Sequence, residues 1–382
     1  MPQASRTRSS ASTISNSLAS RKAKTIRSAL PKCSNSSRTT NVLVEIAVRP
    51  SSHPSWGSAV NRHPPLEPPG KGIPSIQPVV RIEFYMPHDH RELAAHIPRT
   101  LDSYLQAVGS DPGGLTTSWD AEGDPFPLTP ETWDEIRTRL GESPGDEFME
   151  DLAEDSLWFR TLTKRQFDTH AFLTGAPSEA DGYAFSYRAR LPWRHPEVMA
   201  LSTLSVTVPV RFLEERGPDT LRELALALAA PLPFSTGHAG LSFAYSRGLW
   251  RALPRIKEEL FQHPGWGVPR AGSTMGQGAQ VDGVHWLNFL GPPVLEAMGG
   301  PRTLRSRLNS PDTTVLELTE GRALVTLGFA PLPGDLKAGQ SLPAYRELAK
   351  VLEPWMLKFS AFHTWDGFTE EEARRWWRRF LD

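Results

Sequence analysis

The sequence predicts an α+β fold in which helices pack on a mostly antiparallel sheet. Stretches of alternating apolar and polar residues, such as VVRIEFYM (79–86), predict strands. Stretches with helical apolar spacing separate them, and an order of strand, helix, strand, strand and helix occurs in both halves of the chain. This order allows an arrangement of two related halves that share one sheet. The amino-acid identity between the halves does not support it.

Charge and composition divide the 382 residues into two regions. Residues 1–77 carry 11 Lys/Arg and 2 Asp/Glu, and they change from Ser-rich to Pro-rich. We interpret them as a disordered basic leader, which is either an organelle transit peptide or, as we favour, the product of a start site assigned too far upstream. The other 31 basic and 41 acidic residues lie in 78–382. We predict that 78–382 is one domain, with 357–382 as a C-terminal helical extension.

Helix-capping residues and prolines predict where the helices of the first half begin and end. Asp89 is predicted to cap a helix whose apolar residues recur from Leu93 to Val108, and Pro98 must kink or split that helix because it lacks an N–H donor. Pro130 suits the first turn of a second helix. Further predicted elements are strands over 157–163, 182–191 and 200–210 and a helix over 219–229.

The second half repeats the order. Its predicted elements are a strand over 240–246, a helix over 249–261, a strand in VHWLNFL, a short helix in PRTLRSRL, a hairpin around Glu320-Gly321 and a helix over 343–353. Asp335 is predicted to cap a turn. Thr369 and Glu372 have the spacing of a capping box for a last helix. We expect the face of that helix with Ala373, Trp377 and Phe380 or Leu381 to dock on the chain itself rather than on a partner.

Composition excludes several classes of protein. Cys33 is the single cysteine, so the chain has neither a disulfide framework nor a cysteine-based metal site. No apolar run approaches the roughly 20 residues that a membrane span needs. An excess of acidic residues in 78–382 disfavours nucleic-acid binding and favours a basic protein partner.

Three groups of polar residues are candidates for chemistry. Ser235 and His238 lie in the Gly-containing stretch PFSTGHAGLSF, which we interpret as a turn into a strand rather than a nucleophile and its base. A second group, His88, His90 and His96, lacks a zinc-type spacing, so we predict no metal site. His285 and Asn288 are expected to hydrogen-bond within a wall of the fold.

An acidic run follows Arg139. It contains Glu142 and Asp146, and we place a candidate protein interface at its remaining members: Glu147, Glu150, Asp151, Glu154 and Asp155. Such runs are commonly solvated helix or loop faces. The alternative is a surface that accelerates encounter with a basic protein, such as the groove of a nuclease.

Four stretches resemble one protein family. They are RIEFYMPHDHRELAAHIPRTLDSYLQAVG, RFLEERGPDTLRELALALAAPLPFSTGHAGLSFAY, GVHWLNFLGPPVLEAMGG with the following LRSRL, and GFAPLPGDLKAGQSLPAYRELAKVLEP. In this order they are similar to a bacterial type VI secretion immunity family that protects against VRR-NUC nuclease effectors. The resemblance covers residues 79–356, so the basic leader and the C-terminal helix lie outside its pattern.

The resemblance implies a non-catalytic cytoplasmic protein that needs no cofactor and binds a cognate effector toxin, with no nucleic-acid or membrane partner. Oligomeric state is left open. The resemblance gives a structural role to the family-motif residues Phe234, Gly237, His238, Gly240, Trp286, Gly299, Gly300 and Gly334. Two alternatives remain: a hydrolase that uses Ser235 and His238, or a scaffold without a toxin partner. A neighbouring gene for a secreted effector would favour immunity over the scaffold.

Overall fold

The structure is a computed structural model. It describes residues 76–382 except for 110–113, 121–122, 142–152, 154, 158–159, 161–166, 177–181, 191–199, 245–248, 269–276 and 360–366. All described residues belong to one compact unit. They form the antiparallel sheet with packed helices that the sequence predicts.

The described residues contain one ten-stranded sheet. Its strands are β1 (Pro78–Met86), β2 (Thr117–Trp119), β3 (Pro125–Pro127), β4 (Phe167–Thr174), β5 (Ala184–Arg190), β6 (Ser202–Pro209), β7 (Thr236–Phe243), β8 (Leu287–Leu290), β9 (Thr313–Leu318) and β10 (Arg322–Leu327). Their order across the sheet is β3-β2-β4-β5-β6-β1-β7-β8-β10-β9, and all neighbours are antiparallel. The first strand therefore lies in the middle of the sheet.

The helices connect these strands and cover the sheet. They are α1 (His90–Leu93), α2 (Ile97–Val108), α3 (Pro130–Gly141), α4 (Val210–Ala229), α5 (Leu249–Gln262), α6 (Val294–Ala297), α7 (Gly300–Ser306), α8 (Pro343–Leu352) and α9 (Glu370–Trp377), with a 3-10 turn over Glu353–Trp355. α2 contacts α3 and α4, and α4 contacts β1 and β6. These contacts put the main apolar core between the sheet and this helical layer.

The side chains of β1 alternate between the two faces of the sheet. Ile82 and Phe84 are fully buried on the core face. Arg81, Glu83 and Tyr85 alternate with them and therefore point to the opposite face. That opposite face, which we call the polar face, carries the candidate site.

Local signals explain several helix and turn boundaries. The Asp89 side chain accepts from the backbone N–H groups of Arg91 and Glu92, and Glu92 completes a capping box. Pro98 lies in the first turn of α2, so the predicted helix is split into α1 and α2. Asp335 accepts from the backbone N–H groups two and three residues later, which confirms the predicted turn cap.

The C-terminal helix docks on the chain as predicted. Thr369 and Glu372 form the capping box of α9, and Ala373, Trp376 and Phe380 are buried. Trp377 is only partly buried, and its indole N–H donates to the Leu357 carbonyl at 2.8 Å. Trp376, rather than Trp377, is thus the main apolar anchor of the helix.

Two predictions for local structure are wrong. In the predicted strand 157–163, Leu157 and Arg160 are helical, and the Arg160 N–H donates to the Ser156 carbonyl; the other residues lie outside the described ones. The predicted helix over 219–229 is present as the second segment of α4, after the non-helical Gly217 (φ 80°, ψ 164°), while the first segment from Val210 was not predicted. The stretch 236–239 is strand rather than turn.

Candidate functional site

A polar cavity lies on the polar face of β1 and β7. The two strands pair in a register that sets Glu83 opposite His238 and Arg81 opposite Gly240. Ser242 follows on the same face of β7. These residues form the floor of the cavity.

The other walls come from later parts of the chain. They are Gly267 and Val268, the segment Asp282–His285, and Trp376, Trp377 and Arg379 at the C-terminal helix. The cavity is partly open to solvent, and its volume is about 40 Å³. Since one water needs roughly 10–15 Å³, this volume holds a few waters or an ion with its waters.

His238, Asp282 and His285 form the centre of the cavity. One side-chain ligand atom from each of them lies within 4.8 Å of the others. His238 Nδ1 is 3.2 Å from Asp282 Oδ1, but the two atoms are not aligned for a hydrogen bond. Asp282 Oδ2 accepts from the Tyr85 hydroxyl at 2.7 Å. The carboxylate is thus held toward the two imidazoles.

The two imidazole rings stack. Their centroids are 3.8 Å apart and their planes differ by 9°. Two imidazolium cations would repel each other in this arrangement, so at least one ring must be neutral. Burial, with His238 as a second contributor, lowers the pKa of His285 well below its usual value. Both effects favour the neutral form of the His285 ring.

Glycines make the space for His285. A Cβ atom at Gly240 would lie 3.3 Å from His285 Cβ, and one at Gly267 would lie 3.1 Å from His285 Cε1. Asn288 holds the backbone of the same residue, since its Oδ1 accepts from the His285 N–H at 2.9 Å and its Nδ2 donates to the His285 carbonyl at 2.7 Å. The predicted hydrogen-bonding role of Asn288 in a wall is therefore confirmed, whereas the His285 ring faces the cavity.

Two arginines add positive charge. Arg81 donates to Ser205 Oγ at 2.9 Å and to the Phe243 carbonyl at 3.0 Å. Arg379 donates to the Pro264 carbonyl at 2.8 Å, and its guanidinium lies 4.3 Å from the centre of the Trp376 ring. Burial lowers the pKa of Arg379 to about 10, so this group stays charged at neutral pH.

Ser235 and His238 do not form a nucleophile–base pair. Ser235 directly precedes the strand β7 (Thr236–Phe243), which carries His238, and along extended backbone residues three apart point in opposite directions. The Ser235 hydroxyl is buried and donates to the Tyr85 carbonyl at 3.1 Å, while His238 points into the polar cavity. Strand geometry therefore separates the two groups that a hydrolase of this kind would need together.

The other family-motif residues have structural surroundings. Phe234 packs on Phe84 and Phe289 with ring centroids 5.5 and 5.8 Å apart. Trp286 is buried, and its indole N–H donates to the Gly328 carbonyl at 3.2 Å. Positive φ angles require little or no side chain at three further positions: Gly299 (86°), Gly300 (83°) and Gly334 (67°).

Gly237 faces the core rather than a turn. A Cβ atom there would lie 2.6 Å from Phe84 Cδ1 and 2.8 Å from the Glu83 carbonyl oxygen. The position needs glycine because another strand and a buried ring approach it closely.

The predicted acidic interface lies mostly outside the described residues. This applies to Glu147, Glu150, Asp151 and Glu154, while Asp155 is exposed. α3, which directly precedes the acidic run, is anchored by buried Ile136 and Leu140. The same helix exposes three carboxylates, those of Glu131, Asp134 and Glu135.

The histidines near β1 do not come together as a metal site. His88 pairs with Glu92 at 3.1 Å, whereas buried His90 is hydrogen-bonded to the Tyr187 hydroxyl at 3.1 Å. Among the described residues, one group of at least three His, Cys, Asp or Glu side chains has ligand atoms close enough for a metal, and it consists of His238, Asp282 and His285.

Sequence reasoning missed Asp282, Tyr85 and Arg379 as members of one site. These residues are far apart in the chain, and only pairing of β1 with β7 and docking of α9 bring them together. One signal was available: Asp282 and His285 lie three residues apart beside Gly283, a spacing that suits two ligands on one short segment.

Comparison with known proteins identifies the class and then the family. The overall fold is similar to that of the solved structure titled Pseudomonas aeruginosa T6SS protein PA0821, with a TM-score of 0.59, 19% identity and coverage of 79% of this chain and 81% of that one. The family described as TsiV, type VI immunity for VRR-NUC, matches residues 97–380. The chain therefore belongs to the TsiV family of type VI immunity proteins.

The match also corrects one prediction. It reaches residue 380 and includes α9, so the interpretation that the C-terminal helix lies outside the family's pattern is wrong.

No curated protein sequence matches the chain. In the described part of the chain, every helix is too short or too polar to cross a membrane.

Proposed function

We propose that this protein binds and neutralises a cognate type VI effector that carries a VRR-NUC nuclease domain, without catalysing a reaction. Membership of the TsiV family over residues 97–380 carries this proposal. The protein acts in the cytoplasm of the producing cell, where a nuclease would reach DNA, and it needs no cofactor for binding.

Charge supports the choice of partner. A nuclease groove that binds phosphates is basic, whereas residues 78–382 hold 41 acidic against 31 basic residues. We place the interface at α3 and the acidic run after it, including Glu147, Glu150, Asp151, Glu154 and Asp155. Fixed carboxylates on α3 would extend this surface, because Glu131, Asp134 and Glu135 are exposed on a helix anchored in the core. Opposite charges would accelerate encounter, while buried contacts would slow release.

Co-expression with the VRR-NUC effector encoded beside this protein tests the proposal. We expect growth to be rescued and the two proteins to purify together as a complex. If the folded protein neither protects cells nor binds any neighbouring effector, the immunity function is refuted.

Charge reversal tests the placement of the interface. The variant Glu150→Lys, Asp151→Lys, Glu154→Lys should lower the association rate with the effector by about 10-fold or more at low salt, with a smaller effect at high salt. A matched triple reversal on the exposed side of α4, at Glu214, Glu215 and Glu223, changes the net charge equally. Equal association rates for the two variants would refute this interface, though not the immunity function.

The non-catalytic character has its own test. Ser235→Ala removes the one hydroxyl that the sequence offered as a nucleophile and leaves the fold with one buried hydrogen bond fewer. We expect this variant to protect cells as well as the parent does. A folded Ser235→Ala protein that still binds the effector but no longer protects would instead indicate an enzyme.

A further inference from the structure

We infer that His238, Asp282 and His285 form a binding site for a first-row divalent cation, with Zn²⁺ as the best fit. One ligand atom from each side chain lies within 4.8 Å of the others, at the wall of a polar cavity. Two imidazoles and one carboxylate are a ligand set that zinc uses, usually with water in the fourth position. Mg²⁺ and Ca²⁺ prefer oxygen ligands and fit this set less well.

An unpaired nitrogen points to a missing partner. His238 is 6% exposed, yet its Nδ1 atom has no hydrogen bond among the described residues. Burying such a polar atom without a partner costs free energy. Asp282 Oδ1 is only 3.2 Å away, but it lies out of line for a hydrogen bond. A cation bound by the Asp282 carboxylate would give the nitrogen its partner.

Neighbouring residues hold the candidate ligands in place, as the residues around the ligands of known metal sites do. Tyr85 donates its hydroxyl to Asp282 Oδ2 at 2.7 Å and so orients the carboxylate. Asn288 fixes the backbone of His285 on both its N–H and its carbonyl. The cavity of about 40 Å³ has room for a cation and one or two waters.

Binding requires the three ligand side chains to rearrange. Zinc–nitrogen and zinc–oxygen bonds of about 2.0–2.1 Å place neighbouring ligand atoms about 3.3 Å apart, so the three groups must close from up to 4.8 Å. The imidazole rings, now nearly parallel at 3.8 Å, must also tilt so that both nitrogen lone pairs meet at one point. The His285 ring lies beside Gly240, Gly267 and Gly283, so no side chain from these positions blocks its tilt.

Nearby charges moderate the affinity. Arg81 and Arg379 oppose a cation, whereas Glu83 and Asp282 favour it, and all four line the same cavity. The balance predicts binding weaker than that of a structural Cys₄ zinc site. A bound cation would tie β7 to the segment 282–285, so zinc should stabilise the folded protein.

Zinc titration of the full-length chain tests the site. The protein is purified without a histidine tag, stripped with EDTA and titrated with ZnCl₂ by calorimetry, with bound metal counted by mass spectrometry. We expect one equivalent of zinc per chain and a zinc-dependent rise in Tm. Absence of a bound equivalent in the parent protein would overturn the inference.

Variants locate the binding. Asp282→Asn keeps the shape of the side chain and should abolish both the bound equivalent of zinc and the zinc-dependent rise in Tm. His238→Gln should have the same effect. Tyr85→Phe should weaken zinc binding about 10-fold by freeing the carboxylate. His96→Ala changes a partly exposed histidine away from the cavity and should bind zinc as the parent does. Retention of full affinity in Asp282→Asn and His238→Gln would refute the site, and this result is independent of effector binding.

Discussion

Gly237→Ala tests the packing of the central strands. The new Cβ atom would lie 2.6 Å from Phe84 Cδ1 and 2.8 Å from the Glu83 carbonyl oxygen, well inside ordinary contact distance. Phe84 cannot retreat easily, because it is fully buried and packs on Phe234 and Phe289 at 5.5 and 5.1 Å between ring centroids. The carbonyl belongs to β1, which is paired on both sides. We expect the free energy of unfolding to fall by about 2–3 kcal/mol, the upper part of the range for overpacked cores.

Urea unfolding followed by circular dichroism measures this effect. The midpoint of Gly237→Ala should fall by roughly 1 M with an unchanged slope. Gly141→Ala is the matched control, because a Cβ atom at this exposed end of α3 contacts nothing within 4 Å. Its free energy of unfolding should stay within about 0.5 kcal/mol of the parent. If the two variants are equally stable, close approach is not the reason for glycine at 237.

A double variant isolates the clash. In a Phe84→Ala background, the ring that meets the new Cβ atom is gone, so Gly237→Ala should cost less than it does alone. Strictly additive effects of the two substitutions would show that the Phe84 ring is not what rejects a side chain at 237. The remaining contact with the Glu83 carbonyl should keep the added cost above zero.

Three further predictions concern buried groups. Trp376→Ala should lower the free energy of unfolding by about 3–5 kcal/mol, since the ring is 2% exposed and packs on Phe261, and urea unfolding will measure the loss. Tyr104→Phe should cost about 1 kcal/mol in the same assay, because it leaves the buried Thr207 carbonyl without its 2.8 Å donor. Burial, with the nearby positive groups as smaller causes, lowers the pKa of His170 to about 3, so the unfolded chain binds the extra proton and stability falls as the pH drops below about 6.5. Between pH 6.5 and 5, His170→Phe should therefore lose about 1–2 kcal/mol less than the parent, and parallel pH profiles would contradict this.

Local patterns were enough to predict the outline of the sheet and several helix ends. β1 alternates, Asp89 and Thr369 cap helices, and Glu320-Gly321 closes a hairpin with positive φ angles of 58° and 67°. Each of these signals is local, so it is visible without the tertiary structure. The fold class followed from their order.

The first half of β7, residues 236–239, could not be predicted in this way, whereas its second half lies within the predicted strand 240–246. All eight residues of β7 are buried, so it lacks the alternation that marks a strand with one solvated face. Its glycines at 237 and 240 are more typical of turns than of strands. In this fold the first makes space for Phe84 and the second for His285, so the requirement comes from neighbouring strands and segments rather than from the backbone of β7. The local sequence pattern of β7 does not show which residues will pack against it.

The candidate metal site depends on the same glycines. A side chain at Gly240 or Gly267 would contact the His285 ring or its Cβ atom, so glycine at both positions permits that ring to stack on His238. Alternation along β1 places Tyr85 on the same face, where its hydroxyl holds Asp282 toward the two rings. The glycines and the polar residues, which lie in separate segments, are thus explained together by the packing around the His285 ring. No single segment shows this. Zinc binding by the parent, lost in Asp282→Asn, would give that arrangement a function beyond packing.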